Sequence, residues 1–183
     1  MSRQIFQLKV SLAGIRPPVW RRVLVPGAYT LDRLHRVVQY AVGWRDCHLH
    51  SFDIDGVSYG DPDPDPDGEL ALRDELEVRL DAVLGKGSRF RYTYDFGDWW
   101  EHDLVVEDVV LADPDERYPT CLDGGRAGPP ENIGGPLGYR DLLAALADPG
   151  RPGSASLRDW VGDGFDPESF DAGRTTTLLR RFC

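Results

Sequence analysis

Three histidines carry the most pointed chemistry in this chain: His48 and His50 in His48-Leu49-His50, and His102 in Glu101-His102. In an extended strand, positions i and i+2 share a face about 7 Å apart, so two imidazoles there can converge on one ion or one anion. Phe52 and Ile54 continue that face. If the strand carrying Glu101 and His102 lies alongside, His102 becomes a third ligand. Asp95, Asp98 or Glu101 then supplies a carboxylate ligand or an orienting partner, with Glu101 or Asp98 as general base, which is the pattern of a catalytic zinc or facial-triad site. The plainer reading of His48 and His50 is a pair of half-buried sheet histidines bonded to the acidic segment that follows. His35 is expected at the surface, on the polar side of the first helix.

A second constellation is Arg16-Pro17-Pro18-Val19-Trp20-Arg21-Arg22, followed by Arg33, Arg36 and Arg45, where an aromatic ring sits among guanidinium groups able to hold an acidic partner. Alternatively these arginines form an outer strand face and pair with the protein's own carboxylates. Adjacent tryptophans on a strand point to opposite sides, so one of Trp99 and Trp100 must leave the core. If the hairpins dock side by side, Arg16, Trp20, Arg22, His48, His50, Tyr59, Trp100, Glu101 and His102 line one groove for a protein, a peptide or a small acidic ligand.

Several short strings carry no such chemistry. Asp95-Phe96-Gly97 resembles a kinase metal-binding triplet but has neither a glycine-rich nucleotide loop nor a His-Arg-Asp loop to go with it. Gly85-Lys86-Gly87-Ser88 lacks the first glycine of a phosphate loop, and there is no Gly-x-Ser-x-Gly elbow. The run Asp61-Pro62-Asp63-Pro64-Asp65-Pro66-Asp67-Gly68 alternates acids as a calcium loop does, but its prolines forbid the tight turn and it has no closing Glu. It is expected to be an extended, solvated loop over 61–68.

The elements that must position these residues read as follows. Phe6, Leu8, Val10 and Leu12 alternate with polar residues, a one-sided strand; residues 19–25 return as a second strand. Thr30 precedes an apolar stripe of Leu31, Leu34, Val37, Val38, Ala41 and Val42 that stops at Gly43, a capped amphipathic helix. Asp55-Gly56 between residues 48–54 and 57–59 is a type I′ hairpin signal. A short helix is expected near 80–84, then a long hairpin from residues 90–94 and 99–111. Residues 124–138 hold nine Gly or Pro out of fifteen, which predicts an ordered irregular loop. Helices are expected over 139–147 and 157–161, with a last one opening at Asp166-Pro167-Glu168. Strands early and helices late, without βα repetition, argue for an α+β fold: one domain over 1–183, a mostly antiparallel hairpin sheet packed against helices.

Composition bounds the function. The 183 residues are 41% hydrophobic and 28% charged, with a formal net charge of −10. The charge is uneven: residues 1–50 hold eight Lys and Arg against two Asp and Glu, and the remainder hold thirteen against twenty-nine. So acidic a chain is repelled by nucleic acid and anionic membranes. No run approaches the roughly 18 apolar residues of a membrane helix, and the N-terminus has no apolar signal core, so a cytoplasmic protein is expected. Cys47, Cys121 and Cys183 are odd in number and widely spaced, and are read as thiols.

Four strings in order resemble the plasmid pRiA4b ORF-3-like family: Ile15 to Arg22; Gly43-Trp44 with His48-Leu49-His50-Ser51-Phe52; Tyr94 to Asp98 with Trp100-Glu101-His102; and Gly134-Gly135-Pro136-Leu137-Gly138-Tyr139. The resemblance runs nearly end to end and implies a compact α+β domain of a mobile-element-associated, uncharacterised family. Some members carry transposon-resolvase labels, which fit badly with the acidic charge and the lack of a serine-recombinase or helix-turn-helix pattern. Many members have cysteines where this chain has Gly128 and Ile133; with only Cys121 remaining, the resemblance argues against a cysteine-type zinc site here. Glu131 and Arg126 stand at matching positions and are expected to serve the loop's own hydrogen bonds. The expectation is therefore a binding or interaction module without a cofactor rather than an enzyme. The alternatives are a metal-dependent hydrolase with a divalent ion on His48, His50 and His102, and a weak nucleic-acid-binding accessory protein.

Overall fold

The computed structural model describes residues 4–63 and 71–183. Strands β1 (Gln4–Leu12) and β2 (Trp20–Pro26) form the first hairpin, and helix α1 (Leu31–Val42) crosses the sheet. Strands β3 (His50–Ile54) and β4 (Val57–Gly60) follow, then a two-residue β5 (Arg73–Asp74), a single 3₁₀ turn (Glu75–Glu77) and the short helix α2 (Leu80–Val83). The long hairpin of β6 (Arg89–Tyr94) and β7 (Trp100–Leu111) leads to β8 (Thr120–Gly125). Helices α3 (Gly135–Ala147), α4 (Ser154–Val161) and α5 (Ala172–Phe182) close the chain.

The eight strands make one sheet in the order β5-β4-β3-β6-β7-β1-β2-β8, antiparallel throughout except for β4 with β5. This is the expected α+β architecture. Phe6, Leu8, Val10 and Leu12 are buried and the residues between them are half-exposed, as the alternation requires. The expected stripe of α1, with Leu31, Leu34, Val37 and Val38 at 0% exposure, lies in the same core as these strands. Burial of each such side chain contributes about 1.5–3 kcal/mol before entropy is subtracted. Gly43 ends α1 at φ 105°, donating its N–H to Gln39 O at 2.8 Å. Thr30 occupies the N-cap position, but its hydroxyl bonds the Asp32 carboxylate instead of a backbone N–H. Asp55 and Gly56 have φ of 49° and 79°, both positive as a type I′ turn demands. No helix among the described residues is long and apolar enough to cross a membrane.

Two expectations about segments need correction, and a third lies mostly outside the described residues. The Gly/Pro-rich span 124–138 is regular at both ends. Gly124 and Gly125 pair with Arg21 and Trp20 in β8, and α3 begins at Gly135 with Pro136 in its first turn, where no N–H is needed. Asp166 does not open a helix: its carboxylate accepts from Glu168 N at 2.9 Å in a local turn, and Asp171 caps α5 by accepting from Arg174 N at 2.9 Å. Of the acidic run, only Asp61 to Asp63 are described, with Asp63 N donating to Asp61 at 2.9 Å; residues 64–68 lie outside the described residues.

Candidate functional site

Ladder register decides which candidate residues can meet. Cross-strand partners point to the same face. One row across the helix-covered face is therefore His50, Tyr94 and Trp100, and the next is Tyr59, Phe52, Tyr92, His102 and Leu12. The opposite, open face carries Trp20 and Arg22, then Lys9, and Glu101 opposite Thr93.

The proposed single groove does not form. Trp20, Arg22 and Glu101 point away from His50, Tyr59, Trp100 and His102, because a one-residue step along a strand reverses the side. Arg22 also lies four strand spacings from His50, roughly 19 Å. Its guanidinium grips Glu107 at 2.6 and 3.0 Å, while Lys9 and Arg22 each lie 5.2 Å from the Trp20 ring centre. Glu101 is held by Arg91 at 2.9 Å. These open-face charges pair among themselves. Arg16 is exposed in the β1–β2 connection, and Tyr59 and Trp100 are core residues. Arg21 turns inward, donating to the carbonyls of Ala41, Trp20 and Gly125 at 2.6, 2.7 and 3.0 Å, with its guanidinium pKa pushed down to about 10 by burial.

Nor do His48, His50 and His102 converge on one ion. Strands β3, β6 and β7 are neighbours, and they do put His50 and His102 on one face. The Tyr92 ring lies between them, however, 5.8 Å from His50 and 5.3 Å from His102. His102 is wholly buried, Trp44 meets it edge-on at 5.1 Å, and its Nδ1 bonds the backbone carbonyls of Trp100 and Tyr92 at 3.1 and 3.3 Å. Its Nε2 has no partner among the described residues, and burial pushes its pKa down to about 4. His102 is a neutral core histidine.

What the fold brings together instead is an open cleft of about 410 Å³ between α1, the start of β3 and the 72–76 segment. His35, His48 and His50 line it with Asp32, Asp46, Asp61, Asp63, Asp74 and Glu75; among the described residues Arg36 is the one Lys or Arg in its lining. His35, expected at the surface, is 4% exposed. Its ring stacks on His50, with centroids 3.5 Å apart and planes 9° off parallel. Each imidazole holds its own carboxylate: His35 Nε2 to Asp46 at 2.7 Å, and His50 Nε2 to Glu75 at 2.9 and 3.1 Å. Burial lowers the His35 pKa, so the ring is neutral. It donates from Nε2 to Asp46 and accepts at Nδ1 from the Tyr92 hydroxyl at 2.8 Å, which in turn accepts from Gln39 at 2.9 Å. The bond from His35 holds the Asp46 carboxyl below its ordinary range. Exposed Leu49 and Leu76, with Leu72 and Phe96, give the cleft apolar walls.

At one end of the cleft, His48 turns toward two other segments. Its Nε2 lies 3.0 Å from Asn132 Oδ1, 3.5 Å from Asp95 Oδ2 and 3.9 Å from Glu131 Oε2. Asp46, Asp95 and Asn132, which turn these segments, all have positive φ, of 54°, 56° and 58°. Such backbone is costly for non-glycine residues, least so for Asp and Asn. Glu131 and Arg126 reach out of their loop instead of serving its own hydrogen bonds: Glu131 accepts from Arg45 N at 2.9 Å, and Arg126 donates to Glu168 at 2.9 Å and to Pro17 O at 3.0 Å. Gly128 packs so closely on α1 that a Cβ there would stand 2.3 Å from Val42 O.

The comparisons agree with this architecture. The chain is 41% identical over 163 residues to the uncharacterized protein y4hQ of Sinorhizobium fredii, covering 88% of this chain and 83% of that one. The crystal structure of protein of unknown function MM3350 from Methanosarcina mazei Go1 superposes with a TM-score of 0.86 at 34% identity, over 95% of this chain and 98% of that chain. The family model for plasmid pRiA4b ORF-3-like protein matches residues 4–174, and the chain belongs to that family.

Proposed function

We propose that the protein is a binding module whose histidine-carboxylate cleft takes a cationic ligand with an apolar portion, such as a short basic peptide. The observation that carries this reading is the charge of the lining: among the described residues six carboxylate side chains line the cleft with one arginine. Glu75 is 5% exposed and bonds His50, so its charge is poorly hydrated and strengthens attraction to an incoming ammonium or guanidinium group. The leucines and Phe96 suit an aliphatic side chain beside that cation. The reading replaces the acidic partner expected from the arginine-rich N-terminus, because Arg22 is engaged with Glu107 on the opposite face. The unmodified partner classes, a protein or a peptide, stay within it.

Calorimetric titration with a pentapeptide alternating arginine and leucine, and with its glutamate-leucine counterpart, tests this. The basic peptide is expected to bind with an affinity that falls with salt and drops about tenfold or more in Glu75→Gln, consistent with loss of a charge-assisted contact of 1.5–3 kcal/mol. Equal binding of both peptides, no binding of the basic one, or no effect of Glu75→Gln overturns it.

A further inference from the structure

We infer that Cys47, His48 and Glu131, completed by Asp95, form a transition-metal site that takes Zn²⁺ at the end of the cleft. The Cys47 sulfur, a His48 ring nitrogen and a Glu131 carboxylate oxygen all lie within 4.8 Å of one another. Tetrahedral zinc with bonds of about 2.0–2.3 Å places its ligands about 3.3–3.8 Å apart, so side-chain rotation on the order of 1 Å closes the set. One thiolate, one imidazole and carboxylate oxygens form a mixed donor set that suits zinc and cobalt better than calcium or magnesium, which prefer oxygen alone.

Two further observations point to a cation here. Asp95 and Glu131 have side chains only 11% and 15% exposed, and the ion-pair partner each shows among the described residues is His48; no Lys or Arg pairs with either. Two poorly hydrated carboxylates facing one imidazole leave an excess of negative charge that a divalent ion neutralises. The donors are also held in place from outside. The Tyr94 hydroxyl, on a fully buried side chain, donates to Glu131 at 3.1 Å and accepts from Cys47 N at 3.1 Å. Asp95 Oδ1 accepts from the N–H groups of Gly97 and Asp98 at 2.9 and 3.2 Å, which leaves Oδ2 toward His48. Such outer bonds fix ligand orientation.

Metal binding displaces the proton of the Cys47 thiol to solvent and requires the lone pair of His48 Nε2, so its ring proton moves to Nδ1. With Asp95 Oδ2, 3.5 Å from His48 Nε2, swung in as the fourth donor, the site is closed. It therefore clamps three segments, 43–49, 95–99 and 126–134, rather than activating a water.

Untagged protein titrated with Co²⁺ as a spectroscopic probe tests this. One equivalent is expected to give a near-ultraviolet thiolate-to-cobalt band that Zn²⁺ bleaches and that Cys47→Ser abolishes. His48→Gln and Glu131→Gln are expected to weaken binding by at least about 10–100-fold, the loss known even for groups one step removed from the metal. Zn²⁺ is expected to raise the Tm of the natural protein and not of Cys47→Ser. Cys47 is exposed, so Cys47→Ser is expected to keep the fold, with an unchanged circular dichroism spectrum as the check. Absence of the band, or a band that survives Cys47→Ser, overturns the proposal. Glu75→Gln, which disables the cationic-ligand reading, is expected to leave the cobalt spectrum unchanged, so the two ideas fail separately.

Discussion

Replacing His102 with leucine should flatten the acid limb of the stability curve. The ring is fully buried, Nδ1 is spent on backbone carbonyls and Nε2 is unpartnered, so burial lowers its pKa from the ordinary 6.5 to about 4. A histidine whose folded pKa lies below its unfolded one binds fewer protons when native. Its share of stability is therefore fully present above about pH 6.5, and falls with pH until the folded value is reached. With those two values, the unfolded state gains roughly 2.5 kcal/mol on the native state between pH 7.5 and 4.5 from this one group. Leucine is close in volume and cannot titrate. Urea unfolding of both proteins at pH 7.5, 6.5, 5.5 and 4.5 gives the difference directly, because the variant's fixed packing cost is the same at each pH. The stability difference is expected to shift in favour of His102→Leu by about 2–3 kcal/mol across that range. His35, also lowered by burial, titrates in both proteins and cancels. Curves that stay parallel to within about 0.5 kcal/mol would refute the assignment of His102 as a neutral core residue.

The two adjacent arginines of β2 should behave oppositely. Arg21→Met strands the carbonyls of Ala41 and Gly125 and removes the stack on Phe170 at 4.3 Å, and is expected to cost about 2–4 kcal/mol by urea denaturation. Arg22→Met breaks a half-exposed pair with Glu107 and should cost about 1 kcal/mol or less, with the smaller loss at high salt; equal losses would contradict the face assignment. Gly128→Ala sets a Cβ 2.3 Å from Val42 O, a backbone atom that cannot rotate away, and should lower stability by about 1–3 kcal/mol in the same assay. A neutral result there would mean that the 126–134 loop is free to lift off α1.

How much of this was legible depends on what each element reports locally. The alternation of β1, the Asp55-Gly56 turn and the stripe of α1 specify themselves within a few residues, and all three form as expected. Strand β8 was illegible for a tertiary reason. Gly124 looks like punctuation, but a Cβ there would stand 2.6 Å from the Phe170 ring and 2.8 Å from Trp20 O, so glycine marks close approach inside a strand. Asp166-Pro167-Glu168 carries a helix-start signal that a side chain to backbone turn uses instead.

The site divides along the same line. Leu31, His35, Val38 and Val42 recur at helical spacing, so the burial of His35 was encoded in the α1 pattern and was obscured only by reading histidine as polar. His48, His50 and the candidate carboxylate Asp95 were visible; Glu75 and Glu131 lie far away in sequence, and no local spacing joins them to the histidines. Their meeting follows from where the ladders stop. The row of His50, Tyr94 and Trp100 is the last across β3, β6 and β7. Beyond it, residues 43–49, 95–99 and 126–134 leave the sheet at one edge, and the strict alternation that separated Arg22 from His50 no longer applies. Backbone there turns through Asp46, Asp95 and Asn132, so the side chains that follow can point inward together. The polar groups cluster where the rigid strands hand over to loops, which is why the candidate site lies at the end of the strands and not along the open face of the sheet.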